Sequence, residues 1–172
     1  AMAVPLVEPG ELIDPYDGQV DLKAGVLRVL HAGSFVDDPT RAIRAARYAA
    51  RFGFDLEGET AALLPATDLG TVTPERRASE LRRLAAEGTA VKGLELLTGW
   101  GLVQPRSGGL ELALAVDELF GSPPWSEEAD RAEAILAAAL GPEAGEAALA
   151  AAHPARPSEG VRLARGDDPI EL

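Results

Sequence analysis

The residues with the most chemical potential lie in one run, Ser34–Phe54, SFVDDPTRAIRAARYAARFGF. It combines two adjacent carboxylates, a proline, four arginines and a terminal glycine. Asp38 and Arg41 stand three positions apart, so a helix sets a carboxylate acceptor beside a forked guanidinium donor. Cytosine and adenine both offer an exocyclic amino donor next to a ring-nitrogen acceptor, and that pair of side chains complements their edge. Uracil and guanine offer a carbonyl next to a ring N–H, which would meet the carboxylate with like polarity. A site of this kind takes C or A and refuses U or G, because mismatched buried polar groups go unpaired. Asp38 is the preferred contact; Asp37 is either a second partner or an anion that serves the helix dipole. The spacing alone also describes an ordinary solvated arginine face.

The element that must carry these groups is a helix over 38–52. Proline is tolerated at the first helical position and biases the residue before it away from the α region, so Asp38-Pro39 reads as N-cap and N1. Gly53 reads as the residue that ends the helix. Ala42, Ala45, Ala46, Ala49 and Ala50 leave room for a close helix neighbour. Arg41, Arg44, Tyr48 and Arg51 recur at helical spacing and share a face. As a cap, Asp38 gives one oxygen to the backbone and keeps acceptor capacity for a ligand.

The remaining chain reads as short helices with close connections. Ala3–Val7 and Glu11–Ile13 alternate like strands around Pro9-Gly10, a residual β-hairpin, and Asp14–Gly18 is a turn-rich linker. Asp21-Leu22 opens a short helix or turn, followed by the apolar segment Val26–Leu30. A helix near Glu59–Leu64 stops at Pro65. Thr73-Pro74-Glu75 starts another that should end at Gly88, with Leu81, Leu84 and Ala85 as its buried stripe and an ion pair between Arg76 and Glu80. Thr89 caps a helix to about Leu97, and Trp100 reads as a core plug. Further helices are expected over Leu110–Phe120, from Ser126-Glu127-Glu128 to Leu140, over Glu143–Ala152 and over Ser158–Ala164. Asp168-Pro169 looks like one more helix start. The fold class is therefore all-α, an irregular multi-helix bundle with a short β-hairpin at the N-terminus. Three regions follow: 1–22, a remnant and linker; 23–100, the arginine-bearing part; and 101–172, a helical body.

Composition narrows the chemistry. Nearly half of the 172 residues are apolar, 47%, which argues for a packed core and against disorder. No apolar run approaches membrane-spanning length and no signal peptide is visible, so a cytoplasmic protein with no membrane partner is expected. The absence of cysteine rules out disulfides and thiolate catalysis, and two scattered histidines make a zinc site or a serine triad a poor fit. Net charge is −12, unusual for a chain that handles nucleic acid. The distribution explains more than the sum. Residues 1–22 hold five acids and no base, 23–92 eleven bases against nine acids, and 93–172 five bases against fourteen acids. Positive charge thus gathers where the candidate site lies. Asp37-Asp38 and Asp167-Asp168 are adjacent acids, but a helix start accounts for the second of each pair without a metal. The opening Ala1-Met2-Ala3 reads as a leftover ahead of an internal start, and the chain as a domain cut from a longer protein.

Leu27–Phe54, LRVLHAGSFVDDPTRAIRAARYAARFGF, closely resembles the neck of the bacterial class II tRNA nucleotidyltransferase/poly(A) polymerase family. In that family a segment (E/D)-D-x-x-R acts as a protein template for the incoming base. The resemblance places Asp37 and Asp38 on its acidic pair, Arg41 on its arginine, and Arg44 on a further arginine one turn on. Ile13–Leu22 resembles the segment joining the catalytic head to the neck, D-P-x-G-G-x-x-D-L; Gly18, Asp21 and Leu22 fit, and Asp17 stands where the first glycine is usual. Thr73–Leu81, TPERRASEL, resembles a later motif that props the nucleotide-binding helix, with Arg76 or Arg77 and Glu80 in supporting roles. The matches span about half of the chain.

The resemblance implies a fragment of a template-independent RNA nucleotidyltransferase, CCA-adding, A-adding or poly(A)-synthesising. Its partners would be ATP or CTP, a tRNA or RNA 3′ end, and a catalytic head upstream in the parent chain. Nucleotidyl transfer needs metal held by paired carboxylates. The resemblance assigns that Mg2+, together with a Gly-rich turn and an Asp-x-Asp pair, to the head, so this chain is expected to hold no cofactor and to select bases without forming bonds. A stand-alone helical module that binds RNA or protein is the alternative.

Overall fold

A computed structural model describes residues 2–4, 10–125 and 129–152 of the chain. It is predominantly helical, as the punctuation of the sequence predicts. The elements are α1 (Gly18–Ala24), β1 (Val26–Leu27), α2 (Ser34–Asp37), α3 (Thr40–Phe52), β2 (Asp55–Leu56), α4 (Gly58–Ala62), α5 (Pro74–Ala85), α6 (Ala90–Gly99), α7 (Gly109–Leu119), α8 (Arg131–Leu140) and α9 (Pro142–Ala152). Two 3-10 turns, Leu64–Ala66 and Leu69–Thr71, link α4 to α5. Of the expected hairpin, the described residues contain one antiparallel bridge, Ala3 to Ile13. The expected helix over Ser158–Ala164 and the acids Asp167 and Asp168 lie outside the described residues.

α3 forms where proline and glycine punctuate it, with one adjustment. It begins at Thr40, not at Pro39, because the Asp38 carboxylate reaches the Thr40 amide and its backbone carbonyl takes the Arg41 amide at 3.0 Å. Gly53 ends it in the left-handed region, φ 69°, donating to the Ala49 carbonyl. Ala42, Ile43, Ala46, Ala49 and Ala50 are buried, Ile43 and Ala46 in the main core that α5 and α6 share and Ala42 with Phe35 and Leu64. Asp17 adopts φ 53°, a left-handed conformation that suits glycine and that Asp tolerates better than most residues. That geometry gives a physical reason for the glycine usual at this position of the motif.

Thr73 and Pro74 open α5 as predicted, the Thr73 hydroxyl accepting from the Arg76 amide at 3.4 Å. The helix stops at Ala85, short of Gly88. α8 is capped by Asp130, whose carboxylate accepts from the Glu133 amide at 2.9 Å; the predicted start at Ser126–Glu128 lies outside the described residues. One hydrophobic core runs from Ile43 through Leu84, Leu94 and Leu97 to Ile135 and Leu136, all essentially inaccessible. A smaller cluster gathers Phe35, Ala42 and Leu64. Trp100 and Leu102 pack against both, so Trp100 joins two cores, as a plug would. Burying each such side chain contributes about 1.5–3 kcal/mol.

Two features lace the elements together. β1 and β2 pair in parallel, Val26 opposite Asp55 and Leu27 opposite Leu56, which returns the end of α3 to the segment that precedes α2. Arg131 of α8 donates to the carbonyls of Ala85 and Glu87 at the end of α5, at 2.9 and 3.1 Å, and to the Asp117 carboxylate of α7 at 2.8 Å. Among the described residues, no helix is long and apolar enough to cross a membrane.

Gly109 at the start of α7 sits against α8, where an added Cβ would overlap the Ala139 carbonyl oxygen, while one at Gly99 would meet open space. Gly109→Ala should therefore lower stability by about 1–3 kcal/mol in denaturant unfolding, and Gly99→Ala, which meets nothing and suits a helix better, should raise the midpoint slightly.

Candidate functional site

The short helix α2 and the helix α3 meet at Asp38, whose extended backbone (φ −148°, ψ 92°) turns the chain between them. Asp38 Oδ1 accepts from the Thr40 amide at 3.1 Å and from the Thr40 hydroxyl at 2.6 Å. Its Oδ2 accepts from Arg76 Nη2 of α5 at 2.8 Å. A carboxylate has about four acceptor positions, so these three bonds fix its orientation and leave capacity for one more donor.

Arg41, one turn on, donates through Nη1 to the Ser34 carbonyl at 3.1 Å and stays exposed, with most of its donors still available. Asp38 and Arg41 are not ion-paired to each other. Each is instead pinned by a different neighbour.

Arg41 and Arg44 help to line a pocket of about 710 Å³. Its other walls include the segment from Leu27 to His31, Phe35 of α2, Tyr48 of α3, and Leu56 with Thr60. The Thr60 hydroxyl is buried and accepts from the Val29 amide at 3.1 Å, which ties one wall to α4. No carboxylate lines the pocket, whereas Arg28, His31, Arg41 and Arg44 do. Arg28 is engaged by Asp21 at 3.1 Å and Glu57 at 3.5 Å. An apolar floor under guanidinium groups suits a flat, polar, anionic ligand in size and polarity. Asp37 and Asp38 stand outside the lining, at the junction that leads into it. Asp37 is exposed and faces His31 Nε2 at 3.8 Å.

The residues of the later motif reach this junction, though not in the predicted pairing. The expected Arg76–Glu80 ion pair within α5 is absent. Arg76 reaches across to Asp38, and Glu80 takes Arg83 at 2.7 Å while its Oε2 lies 3.8 Å from Arg44 Nη1. The reason is proximity: α5 packs on α3, so groups on the facing helix compete with neighbours one turn away. Glu80 is buried, which favours a guanidinium partner over solvent. Arg77 turns elsewhere, donating to the Leu69 carbonyl at 3.4 Å. Arg51, predicted on the same face as Arg41 and Arg44, leaves it to meet Glu87 at 3.3 Å. Val29, Phe35 and Leu56 carry no polar signature, so sequence reasoning had no means of assigning them to the pocket.

Among the described residues, no three His, Cys, Asp or Glu side chains converge on a point that could hold a metal ion.

Partial burial works against ionisation of Asp38, but the Thr40 hydroxyl, the Arg76 guanidinium, the Thr40 amide and the Arg41 charge outweigh it and hold the carboxyl below its usual value. A depressed carboxyl stabilises the fold fully above its unfolded pKa, about 3.9, and that stability is lost as pH falls through the lower folded value. Asp38→Asn should therefore be less stable than the parent at neutral pH and show a shallower decline on acidification, read by denaturant unfolding at a series of pH values.

No family model matches the chain. Among curated proteins it is 38% identical over 138 residues to the A-adding tRNA nucleotidyltransferase of Halalkalibacterium halodurans, covering 72% of this chain and 32% of that protein. It is 50% identical over 84 residues to the multifunctional CCA protein of Xanthomonas euvesicatoria pv. vesicatoria, covering 44% and 20%. Among solved structures, a CCA-adding enzyme in complex with ATP superposes with a TM-score of 0.69 at 34% identity, covering 81% of this chain and 37% of that one. A tRNA nucleotidyltransferase complexed with a primer tRNA and an incoming ATP analog gives 0.66 at 30% identity, covering 78% and 44%. The chain thus spans a third or less of the length of these curated relatives.

Proposed function

We propose, from the premise that this chain belongs to the class II tRNA nucleotidyltransferase family as a partial region of it, that it selects the base of an incoming ATP or CTP and supports the 3′ end of a tRNA or other RNA. Bond formation, with its Mg2+, falls to a catalytic head upstream in the parent protein, so this chain does not catalyse alone. Solved complexes of similar proteins with ATP, with CTP, and with a primer tRNA support the choice of ligands.

One observation carries the reading: Asp38 and Arg41 lie one helical turn apart, each immobilised by a first partner and each with capacity left. The Thr40 and Arg76 bonds orient the carboxylate, so its remaining acceptor position can take the exocyclic amino group of cytosine or adenine. Arg41 keeps further N–H donors after serving Ser34, and one of them can reach the adjacent ring nitrogen. Uracil or guanine would set a carbonyl against Asp38 and an N–H against Arg41, leaving four polar groups without partners. Such mismatches cost far more than a lost contact, because the desolvation goes uncompensated. Arg44 adds positive charge to the pocket wall, held there by the Tyr48 hydroxyl at 3.2 Å and by Glu80.

In the intact enzyme, Asp38→Ala and Arg41→Ala should each reduce the preference for ATP and CTP over UTP and GTP by about tenfold or more, with metal affinity unchanged. Single-nucleotide incorporation with each triphosphate in turn measures this. Wild-type selectivity in both variants would refute the base-selecting role.

A further inference from the structure

We infer that the exposed Phe52 ring, held by Tyr48, Phe54 and their arginines, is a stacking platform for an unpaired RNA strand leaving the pocket. This rests on the RNA-supporting role proposed above and names the side chain that performs it.

The argument begins with a line of aromatic rings. Tyr48 is a wall of the pocket, and Phe52 follows it one turn later on α3, its ring 6.2 Å away and 28° from parallel. Phe54 continues the line at 5.6 Å and lines a second hollow of about 350 Å³. The walls of that hollow include Tyr16, Leu22 and Leu30 and also Asp14, Asp21 and Arg28, so the favourable charge is confined to the Tyr48–Phe52 end. The three rings thus connect one concavity to the next. Their contact with one another leaves no gap for a base between them. Phe52 itself is 53% exposed at the end of a helix whose opposite side is buried, with the Arg51 guanidinium over its ring, so the surface offered to a base is ring and guanidinium together. Other large apolar side chains are equally exposed; Phe52 is set apart by its contact with two further rings and a guanidinium.

The surrounding charges identify the occupant. Arg47 and Arg44 lie 5.0 and 5.7 Å from the centre of the Tyr48 ring, and Arg51 lies 5.2 Å from that of Phe52. Arg44 and Arg47 also both donate to the Tyr48 hydroxyl at 3.2 Å, so that ring is fixed in place. Two acids face this group: Glu87, 3.3 Å from Arg51 and 4.0 Å from Arg47, and Glu80 beside Arg44. Three guanidiniums against two carboxylates leave the platform positive. An aromatic face flanked by guanidinium groups takes nucleobases by stacking and their phosphates by charge, without regard to sequence. A duplex keeps its base faces against one another, so the platform favours unpaired nucleotides.

The test compares the 172-residue chain with its Phe52→Ala and Phe52→Trp variants. The probes are two fluorescein-labelled RNA hairpins, one blunt and one with a short unpaired 3′ extension, titrated at fixed salt. The parent should bind the extended hairpin more tightly than the blunt one. Phe52→Ala should lose about tenfold on the extended hairpin and nothing on the blunt one. Phe52→Trp should keep the preference, and the emission it adds to that of Trp100 and Trp125 should be quenched by the extended hairpin alone. Equal binding of the two hairpins by the parent would overturn the platform and favour a protein surface packing on these rings. An unchanged or equally weakened pair in Phe52→Ala, with far-ultraviolet circular dichroism intact, would overturn it as well. Single-nucleotide incorporation by the intact enzyme separates the two proposals: loss of the hairpin preference in Phe52→Ala with the choice of ATP and CTP retained sinks only the platform. The hairpin preference with no choice among the four triphosphates sinks only base selection.

Discussion

The alanine side of α3 is the constraint on which the other features depend. Ala46, Ala49 and Ala50, with Ile43 before them, are 0–5% exposed on a helix packed against α5 and α6, and Ala42 is buried with Phe35 and Leu64. A helix whose buried side projects a single carbon at most positions can lie close to its neighbours, and interiors packed to crystal-like density resist small displacements. The opposite side of the same helix is therefore held firmly, and that side carries Arg41, Arg44 and Tyr48 into the pocket wall. Buried alanines and displayed arginines are two consequences of one helical period.

Closeness of α3 to α5 also sets the ionic pattern. Arg76 and Asp38 are far apart in sequence, yet their side chains meet at 2.8 Å, and Glu80 faces Arg44 by the same juxtaposition. Arg76 is largely exposed, so its pair adds little to stability, on the order of 1 kcal/mol or less. Its effect is directional. A carboxylate held on one oxygen by Thr40 and on the other by Arg76 has few orientations left, and that matters more to a recognition surface than the energy of the pair.

How much of this was legible in the sequence depended on punctuation. α3 and the start of α5 were visible because Asp38-Pro39, Gly53 and Thr73-Pro74 each have a mechanical meaning at a helix end. α8 was harder: the expected start at Ser126-Glu127-Glu128 lies outside the described residues, and the cap seen, Asp130, was not anticipated. The β1–β2 pair was invisible: two residues per strand provide no periodicity, and its partners lie on either side of α3. The exchange of Arg76 from Glu80 to Asp38 was hidden for a related reason, since spacing along one helix says nothing of the helix packed against it. At the candidate site, the charged residues announced themselves, while Val29, Phe35 and Leu56 are apolar residues of a kind found in any core. Asp17 was legible only as a departure from a motif, and its positive φ gives the reason that glycine is usual there.

The parallel clasp between Val26–Leu27 and Asp55–Leu56 has a mechanical implication. The Asp55 amide donates to the Gly25 carbonyl at 2.9 Å and the Glu57 amide to the Leu27 carbonyl at 3.0 Å, with Arg28 and Glu57 in reach of each other alongside. These bonds close the chain from Arg28 to Phe54 into a ring. Tension arriving from the N-terminal side is borne by the clasp in shear before it can act on α2 or α3. Whatever pulls or swings the chain ahead of Gly25 therefore carries this ring as one cassette, and the distances within it need not change while its position does.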